Sequence, residues 1–481
     1  MDWIDISTDL KQILTAEQAW HYSIIPKSNG SSLSFYIDKK KYSSQLQDEL
    51  ELLFGLNVKL HKKHSELINN SLSRHYHRNV NHSSGITKGL SLNSANGDFL
   101  TQIIEDAYKI NASDIHIEAY KDSARVRFRI DGKLLEKFTI DQQSYPSLIN
   151  KIKIKAKLDI AEKRLPQDGR IFYDLGEHSF DIRVSSLPSL HGEKLVLRLL
   201  NKSAAHIDIQ DLGFEDKQLN DYLTGLKKTH GIVLISGPTG SGKTTTLYSF
   251  IEKIKSPETK FITLEDPVEY KIEGISQMQV NSDIGFTFAA GLRSILRQDP
   301  DVIMVGEIRD SETAQIALQS SMTGHLVFST VHTNDAPSAY SRLTDLGVEE
   351  FLLNEAILGV IAQRLVRKLC SHCKTEHPDS AQLLQGEDFA FLAGNNQLEP
   401  KVYQPVGCAH CNNSGFAGRS VISEYLPNSN HIKQIKKDDQ FSIQARQYME
   451  SQKLRSLKQD VYLKVAKGIT SMEEAIRVVG L

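Results

Sequence analysis

The chain has no long apolar segment. Among its 481 residues no run approaches the roughly 18 consecutive apolar residues that a membrane-spanning helix needs. Its first residues, Met1-Asp-Trp-Ile-Asp5, carry acids where a secretory signal peptide would carry bases. We therefore expect a protein that stays in the cytosol and reaches a membrane only indirectly, through partner proteins.

Excess charge and aromatic side chains are also scarce. The formal net charge is −2, with 24% charged and 7% aromatic residues. A nucleic-acid-binding surface would show a basic surplus, and a channel for single strands would add stacking aromatics along a basic groove. No binding to nucleic acid is expected. The length predicts two to four globular domains with ample cores.

Cysteine occurs only four times, in two Cys-x-x-Cys pairs with 34 residues between them. Each pair can hold one metal ion without strain, and two pairs provide the four thiolates of a tetrahedral structural Zn²⁺ site. Disulfides are the alternative, but a reducing cytosol disfavours them. His372 and His410 lie inside the pairs and are expected not to be ligands, because four thiolates already close the shell. The predicted zinc ligands are Cys370, Cys373, Cys408 and Cys411.

A glycine-rich segment is the most informative feature that is present. An apolar run over residues 231–236 leads into Gly237-Pro238-Thr239-Gly240-Ser241-Gly242-Lys243-Thr244-Thr245. Glycines let successive backbone N–H groups point at phosphates, Lys243 supplies a charge for the β- and γ-phosphates, and the Thr244 hydroxyl can bind Mg²⁺. The alternative is a glycine-rich turn without a ligand. The strand-like run before it favours a phosphate loop, which predicts that residues 237–245 bind ATP.

Three further apolar runs end in acids or histidine. Residues 261–264 lead to Glu265 and Asp266, residues 302–305 lead to Gly306 and Glu307, and residues 326–331 lead to His332. In open α/β sheets the ligand lies outside the carboxyl ends of the strands, so these side chains should meet near the phosphate loop. A Glu at the end of the neighbouring strand can orient and deprotonate an attacking water.

These segments resemble a known family. Residues 237–248, 264–269, 296–310 and 323–335 are similar to the phosphate loop, Asp box, Walker B segment and His box of the bacterial secretion and pilus-assembly ATPases. Four upstream segments also match the domain that precedes the ATPase core in that family, namely residues 112–118, 125–132, 158–170 and 191–194. The resemblance runs in order from about residue 93 to residue 426.

The resemblance implies an α/β fold in several parts. A PAS-like α/β domain at 93–205 would precede a RecA-like P-loop ATPase core at 213–481. That core would contain a tetracysteine zinc insert at 368–415 and a helical C-terminal tail at 430–481. Before them, the pattern predicts a small N-terminal α/β domain at 1–65, which resembles the docking domain of that family, and a basic, flexible, His- and Lys-rich linker at 66–92. Binding of this linker to acidic lipid or to an acidic partner is the alternative.

One segment of the second domain is ambiguous. Residues 151–158 alternate like a strand, yet Leu148, Ile149, Ile152 and Ala156 fit one face of a helix equally well. Periodicity alone does not decide between the two, and the family resemblance favours the helix.

The resemblance also assigns roles. Glu307 would be the general base, and Gly306 occupies the usual Walker B aspartate position, so Glu265 or Asp266 would position the metal through water. His332 would sense the γ-phosphate, whereas His325 would support the structure. Arginines could stabilise transition-state charge, although any one of them could equally form a surface salt bridge. The candidates for reaching the nucleotide are Arg127 and Arg129 in the second domain, and Arg293 and Arg297 before the Walker B segment.

The implied function is that of a homo-hexameric, cytoplasmic ATPase that powers pseudopilus assembly in type II protein secretion. It would be peripheral to the inner membrane through platform and linker proteins, and its cofactors would be ATP, Mg²⁺ and Zn²⁺. The main alternative is extension of a type IV pilus with the same chemistry. A DNA-handling P-loop ATPase and a catalytically silent scaffold remain further alternatives, and intact Lys243, Thr244, Glu307 and His332 argue against the latter.

Overall fold

The structure, a computed structural model, describes residues 4, 6, 10, 13–14, 16–28, 33–54, 57–76, 99–174, 179–200, 207–385, 387–392 and 400–480. They belong to two compact units, Met1–Thr87 and Lys88–Leu481, and each unit is described by itself. Within the described ranges, every helix is too short or too polar to span a bilayer.

The first unit is a small three-stranded α/β sheet. Strand β2 pairs with β1 in antiparallel and with β3 in parallel orientation. The elements are α1 (Ala16–Tyr22), β1 (Ile24–Ser28), β2 (Leu33–Asp38), α2 (Ser44–Phe54), β3 (Val58–Lys63) and α3 (Ser65–His75).

Helix α3 occupies the first part of the predicted linker. Its side chains Ile68 and Leu72 lie one turn apart and are fully buried, with Tyr76, in the core of the first unit. This unit therefore extends beyond residue 65, where the sequence analysis began the flexible linker. The rest of that segment, residues 77–92, lies outside the described residues.

The second unit begins with a six-stranded antiparallel sheet in the order β6-β5-β4-β9-β8-β7. Its core packs helices α4 and α5 on one face. Ile149, Ile152 and Ala156 are buried there, so the ambiguous segment is helical as the resemblance favoured. The elements are α4 (Phe99–Lys109), β4 (Asp114–Ala119), β5 (Ser123–Ile130), β6 (Lys133–Asp141), α5 (Tyr145–Lys155), β7 (Gln167–Asp174), β8 (Ser179–Ser189) and β9 (Gly192–Leu200).

The other sheet of this unit has seven strands in the order β12-β11-β13-β14-β10-β15-β18. All neighbouring pairs are parallel except β15 and β18. Strands β10, β11, β13 and β14 are buried throughout, which is why they read as continuous apolar runs. The strands are β10 (Gly231–Ser236), β11 (Phe261–Glu265), β12 (Ser276–Gln279), β13 (Val302–Val305), β14 (Leu326–Val331), β15 (Ile357–Leu369) and β18 (Phe416–Pro427).

Helices cover both faces of the seven-stranded sheet through two hydrophobic clusters. A short antiparallel pair, β16 (Thr375–Glu376) with β17 (Tyr403–Gln404), lies in the cysteine-containing segment between β15 and β18. The helices are α6 (Asp216–Leu226), α7 (Lys243–Ile254), α8 (Phe288–Ile295), α9 (Ser311–Met322), α10 (Ala336–Asp345), α11 (Glu350–Ala356), α12 (Ser380–Leu383), α13 (Asn430–Gln434), α14 (Phe441–Ser451), α15 (Leu457–Ala466) and α16 (Met472–Val479).

The ends of the ATPase core differ slightly from expectation. Ile209 and Leu212 are buried in the core, and Leu212 O accepts a hydrogen bond from Val421 N at 2.9 Å, so the core begins before residue 213. The tail is helical, and Ser471 caps α16 by accepting from Glu474 N. The carboxylate of Glu474 accepts hydrogen bonds from the side chains of Arg367 and Arg477.

Candidate functional site

The glycine-rich loop has the curled backbone that phosphate binding requires. Gly240 and Gly242 have φ angles of +79° and +86°, values that side-chain-bearing residues rarely adopt. At Gly237 a Cβ atom would lie 2.5 Å from the Gln363 carbonyl oxygen, so no larger residue fits. Gln363, on β15, also donates from Nε2 to Ser241 O at 2.8 Å. The loop is thus fixed both by its own glycines and by the neighbouring strand.

Lys243 is held inside this loop. Its ammonium donates to the carbonyl oxygens of Gly237 at 2.7 Å and Pro238 at 3.2 Å. Burial lowers the pKa of Lys243, and the Glu307 carboxylate partly opposes that shift. The Thr244 side chain is exposed on the first turn of α7. A phosphate would meet the helix N-terminus, the ammonium and this hydroxyl together.

Glu307 and His332 come together at the carboxyl edge of the sheet, as the strand pattern predicted. His332 Nε2 lies 3.1 Å from Glu307 Oε2, and Arg309 binds the other carboxylate oxygen. Burial raises the pKa of Glu307, but the hydrogen bond and charge of Arg309, together with His332, outweigh it and hold the pKa below its ordinary value of 4.5. Glu307 is therefore ionised at neutral pH, as a general base must be.

Hydrogen bonds hold the segments on either side of β14. Ser236, the last residue of β10, has its hydroxyl 2.6 Å from that of Thr333. His325, at the other end of β14, has Nδ1 3.0 Å from Ser320 O and 3.2 Å from the Thr323 hydroxyl. These local contacts suit the supporting role expected for His325.

Only one of the two acids at the carboxyl end of β11, Glu265 and Asp266, is accessible. Glu265 is 2% exposed, and its carboxylate accepts hydrogen bonds from the side chains of Tyr248, Thr263 and Gln277. Burial raises the pKa of Glu265, which these hydrogen bonds partly offset. The sequence left the metal-positioning role open between Glu265 and Asp266, and the engaged oxygens of Glu265 favour Asp266. Asp266 Oδ2 lies 3.7 Å from Arg309 and its side chain is 41% exposed.

The arginines chosen from the sequence are engaged elsewhere. Arg127 binds Glu118 at 2.7 Å, and Arg129 donates to Gly132 O at 3.0 Å. On α8, Arg293 pairs with Glu312, and just after the helix Arg297 donates to the Arg293 carbonyl at 2.8 Å. None of these four contacts, all within the described residues, involves Glu307, Lys243 or His332.

A different arginine group lies beside the Asp box. A cleft of about 510 Å³ is bounded by residues of β7, β8 and β9 and by Pro267 of the core. Arg183 crosses to the core, donating to Val268 O at 3.0 Å and pairing with Glu269 at 3.3 Å. The arginines that line the cleft are Arg170, Arg183 and Arg198.

Sequence reasoning missed Arg183, Arg198 and Arg309. The alternation of apolar and polar residues along β8 and β9 already placed Arg183 and Arg198 on the face away from the core. Arg309 was part of the Walker B segment, but without the fold nothing linked it to Glu307.

The four cysteines converge as predicted. Their sulfurs are separated by 3.9 Å for Cys370 and Cys408, 3.8 Å for Cys373 and Cys411, and 3.7 Å for Cys408 and Cys411. Four thiolates about 2.3 Å from a tetrahedral metal ion stand about 3.8 Å apart, so the spacing fits such an ion. Burial raises the pKa of Cys411, but N–H donors from Cys408 and Gly415 outweigh it and lower the pKa to about 7.

A parallel sheet with a phosphate loop after a central strand, and with an acid and a histidine at the same edge, defines a P-loop ATPase. Residues 94–477 match the family described as "Type II/IV secretion system protein", and the chain belongs to that family. It is 46% identical over 380 residues to the type II secretion system ATPase E of Vibrio cholerae, covering 79% of this chain and 74% of that protein. Type II secretion system protein E of Dickeya dadantii is 45% identical over 379 residues, with coverage of 79% and 74%.

Solved structures share the fold. The Legionella pneumophila ATPase DotB is similar with a TM-score of 0.59 and 22% identity, covering 79% of this chain and 95% of that one. The pilus retraction motor PilT, whose structure was determined with bound ADP, is similar with a TM-score of 0.51 and 26% identity. The match covers 78% of this chain and 96% of that one. The predicted fold class and family are confirmed, and the protein is an ATP-hydrolysing enzyme.

Proposed function

We propose that this protein is the ATPase motor of a type II secretion machine, working as a homo-hexamer in the cytoplasm. The observation that carries the proposal is the Glu307–His332 pair, 3.1 Å apart, at the same sheet edge as the phosphate loop. The names of the curated relatives supply the biological context. Partners would be the inner-membrane platform and linker proteins of the machine, through which the motor meets the membrane.

The chemistry assigned to the site is direct hydrolysis. The backbone of residues 237–242 and the Lys243 ammonium hold the β- and γ-phosphates, and Glu307 takes a proton from the attacking water. His332 lies beside that carboxylate and would sense whether the γ-phosphate is bound. Mg²⁺, when bound with the nucleotide, neutralises charge on the phosphates. Thr244 and Asp266 supply the hydroxyl and carboxylate oxygens that this ion prefers, and both are exposed.

Charge from a second domain would complete the site. Arg183 and Arg198 line the cleft beside Pro267, and Arg183 already contacts the segment that follows Asp266. Movement of the six-stranded sheet over the phosphate loop would bring these arginines to the γ-phosphate, and product release would free them. Hydrolysis would thereby become domain motion.

Surface apolar residues support assembly into a ring. Among the exposed large apolar side chains of the described residues, six fall within residues 154–190 of the second domain. Where such side chains adjoin one another, they would suit a surface that a neighbouring subunit covers. The six are Ile154, Ile160, Leu165, Phe172, Leu187 and Leu190.

Deleting the gene in its host tests the proposed function. We expect exoproteins to disappear from the culture supernatant while surface pili remain, and secretion to return with the wild-type gene but not with Lys243→Ala. The matched control Lys253→Ala, at an exposed position on the same helix, should restore secretion. Loss of pili with normal exoprotein secretion would instead identify a pilus-extension motor.

Zinc is the metal that we propose for the four cysteines. Protein purified without chelators should contain about one Zn²⁺ per chain. Cys373→Ser should release the metal and destabilise the segment between β15 and β18, while nucleotide affinity stays near the wild-type value. Ser371→Ala, which changes a non-ligand in the same knuckle, should retain the ion. Zinc-free wild-type protein on elemental analysis would contradict the site.

A further inference from the structure

Two histidines of the cysteine segment stack on each other. His372 and His410 occupy the third position of the two Cys-x-His-Cys knuckles, and the fold brings their ring centroids to 4.0 Å with an interplanar angle of 36°. Both side chains are exposed. Four thiolates satisfy a tetrahedral ion by themselves, so the first metal does not need these rings.

The rings converge on a sulfur as well as on each other. One ligand atom each from Cys370, His372 and His410 lies within 4.8 Å of the other two. Cys370 also belongs to the four-cysteine group, where its sulfur lies 3.9 Å from that of Cys408. The two groups of potential ligands therefore share one sulfur atom.

That sulfur retains capacity to bind. Backbone N–H groups donate to Cys373 Sγ and to Cys411 Sγ at 3.2–3.3 Å. In the part of the chain that the structure describes, no such donor reaches Cys370 Sγ. A thiolate bound to one ion keeps further lone pairs, and combined imidazole and thiolate ligands suit Zn²⁺, Co²⁺ or Ni²⁺.

We propose that His372, His410 and the bridging thiolate of Cys370 form a second, exchangeable transition-metal site beside the four-cysteine site. Three protein ligands leave one tetrahedral position to water, so this site is open where the first is closed. Exposure of both rings makes its ion accessible to exchange. The bridging role of Cys370 rests on the zinc that we propose for the four cysteines.

Cobalt titration of the full-length, zinc-loaded protein tests the proposal. We expect one further equivalent of Co²⁺ to bind and to give a thiolate-to-cobalt absorption band. The double variant His372→Ala/His410→Ala should weaken this second binding at least about tenfold and keep the tightly bound zinc. His377→Ala, in the same segment, should leave both equivalents unchanged.

The two metal proposals can fail separately. Binding of cobalt that is unaffected by the double variant, that lacks the thiolate band or that never exceeds the first equivalent would overturn the second site. If tight zinc is absent but cobalt still binds with the band and depends on both histidines, the four-cysteine zinc proposal fails and the histidine site stands.

Discussion

Replacing Glu307 by glutamine is expected to leave ATP binding intact and to lower the rate of hydrolysis by about 10²–10⁴-fold, the usual contribution of a positioned base. Glutamine keeps the shape and can still meet His332, but it cannot accept the proton of the attacking water. The phosphate loop is unchanged, so nucleotide affinity should stay near that of the wild type. Steady-state hydrolysis and equilibrium nucleotide binding measure the two effects separately.

Two comparisons make this result specific. Glu258→Gln makes the same carboxylate-to-amide change at an exposed position of the same core and should leave hydrolysis unchanged. Lys243→Ala should lose both ATP binding and hydrolysis. Because the pKa of Glu307 lies below 4.5, its protonation should reduce activity only below about that pH. If Glu307→Gln hydrolysed ATP at the wild-type rate, Glu307 would not be the general base.

The second large effect is expected from the arginines of the cleft. Arginines supplied by another domain or subunit add about 10³–10⁵-fold to phosphoryl transfer. Arg183→Gln and Arg198→Gln should each therefore lower ATP hydrolysis by about 10³-fold with little change in ATP affinity. Arg127→Gln should cost less than about tenfold, because Arg127 does not line the cleft beside Pro267.

Arg125 provides the matched control on the same domain. Its side chain is half-exposed and pairs with Glu136 at 3.5 Å, outside the cleft. Arg125→Gln should retain full activity. A large loss from Arg127→Gln with near-normal activity of both cleft variants would restore the choice made from the sequence and refute the one made from the structure.

Local patterns predicted what depends on neighbouring residues. A stretch of about ten residues is enough to recognise the phosphate-loop glycines, each apolar strand and each cysteine pair. The positions of Glu307 and His332 followed from one further rule, that parallel strands present their carboxyl ends at a single edge. The identification of this edge needed no tertiary detail.

What the sequence could not predict depends on packing between distant segments. Glu265 and Asp266 are adjacent in the sequence, yet only Glu265 is buried and has its carboxylate hydrogen-bonded by Tyr248 and Gln277. The sequence of helix α3 resembles a linker because it is rich in Asn and Ser, and only the burial of Leu72 reveals that the helix belongs to the first unit.

The arginine candidates proposed from the structure differ from those proposed from the sequence for the same reason. Arg183 lies opposite Arg198 in the pairing of β8 with β9, and this register brings both to one cleft. The Asp box lies far from these strands in the sequence, so the contact from Arg183 to Val268 could not be inferred from it.

The central claim is that hydrolysis requires the second domain over the phosphate loop. ATP turnover by a fragment spanning residues 207–481, compared with the full chain, tests it most directly. The fragment begins at residue 207 so that Ile209 and Leu212 remain in the core, and retained zinc and ATP binding would verify its folding. We predict that it binds ATP normally and hydrolyses it at least about 10³-fold more slowly, since the arginines are gone. A folded fragment that matches the full chain's rate would contradict the account.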